Sequence, residues 1–129
     1  MGVDYNEFKK IVANYEHISQ EFDSFMQGFL QKNALELLAK TKLRTPVDTG
    51  DLRKHWFLTD VRRDGNKLVI EICNDMEYAT YVEYGHLTKT RDKWVNGYFM
   101  VTVPLDEVER KMPRRFQSEF KKFVRRLGG

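Results

Sequence analysis

Apolar and polar residues follow three regimes along the chain. In the first, Phe8, Ile11, Tyr15, Ile18, Phe22, Phe25 and Phe29 recur at spacings of three and four, which keeps one apolar stripe on a single helical face. Asp4 followed by Glu7 has the form of an N-terminal cap with a reciprocal acidic partner. The stripe continues less regularly through Leu30, Ala34, Leu37, Leu38 and Leu43 as far as Pro46, where it ends, because the residue before a proline is pushed out of helical geometry. Ser19 is a second capping candidate, so residues 1–44 read as one helix or two lying on a sheet. The narrow, Phe-rich part also fits a helix packed against a neighbouring subunit.

The second regime reads as mainly β structure over residues 45–103. Residues 56–63 and 67–74 flank Asp64-Gly65-Asn66, a short polar segment whose glycine accepts positive φ, and this predicts a hairpin. On its second strand, alternation places Leu68, Ile70 and Ile72 toward the core and Val69, Glu71 and Cys73 on the other side. A further strand is expected over residues 98–103. Residues 78–84 fit a single helical turn ending at Gly85, and residues 85–96, rich in Thr, Lys and Asp, read as an exposed loop.

In the third regime a helix is expected after Pro104, a residue suited to a first turn, with apolar positions Leu105, Val108, Met112, Phe116, Phe120, Phe123, Val124 and Leu127. It ends at Gly128-Gly129. Pro113 either kinks or restarts it, since its ring excludes the backbone bond to the preceding turn. Arg110, Arg114, Lys121, Lys122 and Arg125 fall largely off the apolar stripe and face solvent or a partner. The fold class expected is therefore α+β. N-terminal helices and a C-terminal helix pack on a small antiparallel sheet of about three or four strands, in one domain spanning residues 1–129.

Composition sharpens this only in places. The chain has 129 residues, 41% of them apolar, enough for one core of ordinary size. No apolar run approaches the ~20 residues needed to span a bilayer, and the first ten residues lack a signal-peptide stretch. A protein made in the cytosol, with no membrane partner, is expected. Cys73 is the lone cysteine, has no internal disulfide partner, and reads as a small buried hydrophobe. Charge is uneven: residues 110–129 carry eight Lys or Arg against one Glu, a local +7, which leaves −4 for residues 1–109 out of the net +3. A basic C-terminal helix on a mildly acidic body suits a DNA conduit or an acidic neighbour.

Two segments about thirty residues apart remain, Thr45-Pro46-Val47-Asp48-Thr49-Gly50-Asp51-Leu52-Arg53 and Tyr78-Ala79-Thr80-Tyr81-Val82-Glu83-Tyr84-Gly85. In the first, proline fixes one dihedral, Asp48 and Thr49 accept bonds from nearby N–H groups, and Gly50 permits a sharp reversal from helix to strand. In the second, Tyr78, Tyr81 and Tyr84 carry an apolar body with a polar tip, suited to a core edge or an interface. Arg53 and Glu83 are the charged members of the two motifs and are expected to pair.

Together, and in this order, the segments resemble the head–tail joining, or tail-completion, proteins of long-tailed bacteriophages. That family's motifs read Thr-Pro-Val-Asp-Thr-Gly-x-Leu-Arg and Tyr-Ala-x-Tyr-Val-Glu-Tyr-Gly, and both fit throughout. A looser third element, Gly then an aromatic and Met before a C-terminal helix, is filled by Gly97, Phe99 and Met100. The chain departs from the pattern after Gly85, where His86-Leu87-Thr88 stands in place of a proline-containing turn. The resemblance implies a virion structural protein of the neck or tail, assembled in the host cytoplasm, with no cofactor, metal or catalytic residues. Its partners would be head–tail connector and tail proteins, with packaged DNA nearby. A homo-oligomeric ring would use the aromatic segment, His86, Lys89, Arg91 and Lys93 of the loop, and Arg114, Lys121, Lys122 and Arg125 of the helix. Two other readings are weaker. One is a basic nucleic-acid-binding module; the other is a dimeric aspartic protease using Asp48-Thr49-Gly50, disfavoured by the charged Asp51 and the helical N-terminal third. His17, His55 and His86 show no ligand spacing.

Overall fold

Residues 67–74 form the strand on which the sheet is built, and every one of them except Lys67 is buried. A computed structural model describes residues 6–14, 20–46 and 50–128. Its elements run β1 (Asn6–Asn14), α1 (Gln20–Arg44), α2 (Gly50–Lys54), β2 (Trp56–Leu58), β3 (Arg62–Asp64), β4 (Lys67–Asn74), α3 (Ala79–Tyr84), β5 (Gly85–Leu87), β6 (Trp94–Asn96) and α4 (Thr102–Arg126). Strand β4 pairs antiparallel with β1 on one side and with β2 and β3 on the other, while β5 and β6 form a separate two-stranded sheet. The α+β class is as expected.

The first correction concerns residues 6–14, expected to be helical. They form β1, in a ladder from Asn6↔Asn74 to Asn14↔Lys67 interrupted between Glu7 and Lys9. Phe8 and Ile11 alone mimic helical spacing, but β4 offers an unpaired edge along its whole length, and tertiary pairing overrides a weak local period. Asp4, Tyr15, His17, Ile18 and Ser19, on which the capping and two-helix readings rest, lie outside the described residues.

The expected hairpin is present with a modified first arm. Asp64 and Lys67 pair across Gly65-Asn66, and Gly65 has φ +60°, the positive value at the first central position that a II′ turn requires. The arm expected over residues 56–63 is split into β2 and β3, because the register shifts by one residue between Leu58↔Ile72 and Arg62↔Val69. Thr59 bridges the irregularity, its N–H donating to the Glu71 carbonyl at 2.9 Å and its Oγ1 accepting from the Glu71 N–H at 3.0 Å. Leu68, Ile70 and Ile72 enter the core as predicted. Val69, Glu71 and Cys73 are equally buried, so the opposite face is not the solvent face that simple alternation implies; the carboxylate of Glu71 is paired with Arg62.

Helix α1 buries Met26, Phe29, Leu30, Asn33, Ala34, Leu37 and Thr41, a stripe of the predicted kind, although Leu43 faces out. Its Phe-rich half packs on α4 of the same chain rather than on a neighbour: the Phe25 and Phe123 rings stack at 4.7 Å and Phe29 meets Phe116 edge-on at 5.6 Å. The helices run antiparallel, since successive contacts pair rising α1 numbers with falling α4 numbers. Past the phenylalanines the contact becomes polar, with Arg115 donating to Asn33 at 2.9 Å and pairing with Glu36 at 2.8 Å, and Lys40 pairing with Glu107 at 2.6 Å. Helix α4 starts at Thr102, two residues before Pro104, and continues through Pro113. No strand forms over residues 98–103. The core joins α1, β4 and α4 through Leu30, Leu37, Ile70, Ile72, Leu105 and Val108, with Leu52, Trp56, Ala79 and Met100 closing its end.

The polar end of the α1–α4 contact makes stability pH-dependent. Desolvation pushes the Glu36 carboxyl up, but bonds and charge from Lys40 and Arg115 outweigh it and hold the pKa below its ordinary 4.5. Bonds from Lys40 and Lys111 lower that of Glu107, and bonds to Glu107 and Glu36 raise that of Lys40 above 10.5. The carboxylates therefore contribute fully above the unfolded carboxylate range and lose that contribution as pH falls through their depressed folded values. Lys40 contributes fully below 10.5 and loses its contribution as pH rises through its elevated folded value. Thermal melting followed by circular dichroism is expected to decline on acidification below about pH 4.5, with a shallower decline in Lys40→Met. An identical acid limb in that variant contradicts the assignment.

Candidate assembly interface

Thr45 is buried at the end of α1 and is bonded on both its hydroxyl and its carbonyl. The hydroxyl donates to the Thr41 carbonyl at 2.7 Å and accepts from Trp56 Nε1 at 2.9 Å, and the carbonyl accepts from Arg53 Nη2 at 2.6 Å. Leu52 is fully buried, and its carbonyl accepts from Asn74 Nδ2 at 2.9 Å. The first motif is thus a corner fastened to the end of the sheet. Pro46 is partly buried; Val47, Asp48 and Thr49 lie outside the described residues. Gly50 opens α2, so a short helix intervenes where a direct reversal into strand was expected.

The second motif carries α3, which ends at Gly85 as predicted. Ala79 and Glu83 are buried, Val82 is half-buried, and Tyr81 and Tyr84 are exposed. The carboxylate of Glu83 does not pair with Arg53. It accepts from the Val101 N–H at 3.0 Å, the Thr102 N–H at 2.9 Å and the Thr102 hydroxyl at 2.6 Å. These donors stand at the start of α4, where backbone N–H groups lack helical partners and the helix dipole is positive. Opposite charge made Arg53 the obvious partner in the sequence. A helix terminus attracts the same carboxylate and adds directed donors.

Two glycines let the neighbouring segments approach this cap. Gly85 has φ +91°, and a Cβ there would lie 2.5 Å from the Val95 carbonyl oxygen. A Cβ on Gly97 would collide with the Glu83 carbonyl. Across this contact the Tyr98 N–H donates to the Val82 carbonyl at 2.8 Å and the Phe99 N–H to the Glu83 carbonyl at 3.1 Å. Phe99 takes φ +50°, a conformation costly for a bulky residue. It is held there by that bond and by Arg44 Nε, which donates to the carbonyls of Phe99 at 2.9 Å and Tyr98 at 3.0 Å. A strand cannot pass through this geometry, which is why the one expected over residues 98–103 is absent.

The segment expected to be a plain exposed loop, 85–96, is a hairpin, with Gly85↔Asn96, His86↔Val95 and Leu87↔Trp94 paired. Asp92 organises its tip by accepting from the hydroxyls of Thr90 and of Thr88, the latter at 2.9 Å; these bonds, Thr90 first, hold the Asp92 pKa below the ordinary carboxylate value. The surface is apolar and aromatic. Trp94 is 58% and Tyr81 59% exposed, and Leu87, Val95, Tyr98, Phe99 and Tyr84 are exposed with them. Tyr81, Leu87 and Trp94 line one shallow groove with His86, Lys89 and Arg91, and the rings of Tyr81 and His86 lie 5.7 Å apart. Lys93 follows in the same tip. Leu87, Trp94 and Val95 escaped the sequence reading because they are scattered among Thr, Lys and Asp; the apolar pair Trp94-Val95 inside a polar run was the signal available.

Arg114, Lys121, Lys122 and Arg125 lie on α4, apart in sequence from the hairpin, and line a groove of their own. Among the described residues, no group of His, Cys, Asp or Glu is arranged to hold a metal ion, and no helix is long and apolar enough to cross a membrane. His55 pairs with Asp75 at 2.5 Å.

Removing the Glu83 cap tests the construction. Glu83→Ala is expected to lower stability on the order of 3 kcal/mol, from the lost cap and the N–H groups left buried, and Gly97→Ala by roughly 1–3 kcal/mol through overpacking. Because Arg53 and Glu83 share no partner, the effects of Arg53→Ala and Glu83→Ala in urea unfolding are expected to add within about 0.5 kcal/mol. A larger coupling would restore the direct pair.

The sequence model of a family described as "Bacteriophage HK97-gp10, putative tail-component" matches residues 9–85. No curated protein and no solved structure matches the chain. The matched segment takes in more than half of the chain, including β4, its partners β2 and β3, most of β1, the corner and α3 up to its terminal glycine. The chain therefore belongs to the HK97-gp10-like family of bacteriophage tail components, structural proteins of the virion.

Proposed function

We propose that this tail component joins the phage head to the tail, or completes the tail, through protein–protein contacts, and that residues 1–129 act as a single folded unit. The observation that carries this reading is the apolar platform of Tyr81, Leu87 and Trp94, exposed together along one groove on α3 and the β5–β6 hairpin. Apolar surface of this kind costs solubility unless a partner covers it, and Trp and Tyr are the residues that dominate interface energetics. Lys89, Arg91 and Lys93 at the hairpin tip supply a polar rim. The second motif is then an interface support, with Glu83 and Gly85 internal and Tyr81 and Tyr84 presented outward.

A ring of identical subunits needs two different patches, one meeting the other on the next copy. The platform is one. Leu35 and Leu43, exposed on α1, lie on a different element and are suited to receive it. Other head–tail connector and tail proteins would meet the ring at the neck, after assembly in the host cytoplasm. The protease reading is the weaker one, since two 25-residue helices are foreign to a nearly all-β enzyme.

The test is electron microscopy of particles made when the gene is disrupted and then complemented. Full heads beside complete, unattached tails are expected on disruption. Complementation with a Trp94→Ser, Tyr81→Ser double variant, folded by circular dichroism, is expected to leave the same unjoined parts. Normal virions on disruption would refute the role, and loss of tails of every kind would move the protein into tail assembly itself.

A further inference from the structure

Helix α4 uses its cations in two ways. Arg110 pairs with Asp106 at 3.2 Å, Lys111 with Glu107 at 3.3 Å and Arg115 with Glu36 at 2.8 Å. The side chains of Arg114, Lys121, Lys122 and Arg125 make no hydrogen bond or ion pair with any described residue, and all four are exposed. With Gln117 and Ser118 they line one shallow groove. The six positions fall at i, i+3, i+4, i+7, i+8 and i+11, a stripe about 16 Å long, on the side of α4 opposite Phe116, Phe120 and Phe123, which face α1.

We infer that this stripe is a sequence-independent binding surface for the phosphate backbone of duplex DNA, a function separate from the joining role. Lys121 and Arg125 stand at i, i+4 and Lys122 and Arg125 at i, i+3, where like charges repel; a polyanion relieves that repulsion. The helix dipole accounts for a cation in the last turn such as Arg125, but its influence does not reach Arg114, three turns earlier. An acidic protein would satisfy charge alone, but the chemistry of the groove favours nucleic acid. Protein interfaces are centred on aromatic anchors and are poor in Lys, and the anchors of this chain are on the hairpin. Lys, Arg, Ser and Gln without an apolar member are the side chains that contact phosphates.

The experiment is fluorescence anisotropy of the full chain with a labelled duplex of arbitrary sequence over a range of salt concentrations. Four phosphate contacts predict a slope of log affinity against log salt of about −3 to −4, unchanged with a second, unrelated sequence. Arg114→Gln, Lys121→Gln, Lys122→Gln and Arg125→Gln combined are expected to abolish most of the slope and weaken binding at least tenfold, with the circular dichroism melt preserved. The hairpin triple variant Lys89→Gln, Arg91→Gln, Lys93→Gln is expected to bind like the parent. Equal losses in the two variants, a flat salt dependence in the parent, or competition by polyglutamate as effective as by unlabelled DNA would each overturn the inference, the last in favour of an acidic protein partner.

Discussion

The structure depends on one buried carboxylate. Glu83 is withdrawn completely from solvent, a placement that costs several kcal/mol for an unpartnered charge. It is tolerated because the first turn of α4 presents the Val101 and Thr102 N–H groups and the Thr102 hydroxyl to it. Charge-assisted bonds of this kind are about twice as strong as neutral ones. They also decide where α4 begins, which places Phe116, Phe120 and Phe123 in register with the phenylalanines of α1. The carbonyl of the same residue receives the Phe99 N–H, and Arg44 holds Phe99 from the end of α1. One residue thus links the helical layer, the hairpin and the C-terminal helix.

Glycine supplies what the carboxylate cannot. Gly85 and Gly97 meet beside Glu83, and both stand where a Cβ would meet backbone. Backbone has no rotamer with which to yield, so a side chain at either position would open the contact instead of being absorbed by it. The requirement for Gly after an aromatic segment, and for a second Gly before the C-terminal helix, is therefore one requirement stated twice along the sequence.

Much of this was legible in the residues, and the parts that were not share a cause. The long stripe from Phe22 onward, the Gly65 turn, the core face of β4 with Leu68, Ile70 and Ile72, and the α3 turn ending at Gly85 all follow from local period or turn chemistry. Residues 6–14 did not, because a nine-residue segment with two aromatics or aliphatics at helical spacing is decided by the strand edge it finds, not by its own pattern. The fate of Glu83 was hidden for a related reason. Its donors lie 18 and 19 residues further on, and backbone N–H groups leave no mark in a sequence. Arg53 is visible as an opposite charge, yet its guanidinium bonds the Thr45 carbonyl instead. The hairpin was missed because Asp92 builds its tip from threonine hydroxyls, which read as loop composition.

The consequence for function lies in when the order is established. A binding loop that orders only on contact loses affinity to the entropy of its own immobilisation. The hairpin carries its order beforehand: Asp92 fixes the tip, paired strands fix the arms, and the Glu83 cap with its two glycines fixes the base to α4. Its exposed Trp94, Tyr81 and Leu87 are then presented as a rigid set, so the apolar area they bury on a partner converts to affinity with little ordering cost. The same base holds the aromatic face of α4 against α1, and this turns the unpaired cations of Arg114, Lys121, Lys122 and Arg125 outward. The direction of both exposed surfaces is thus set by the residues around one buried carboxylate.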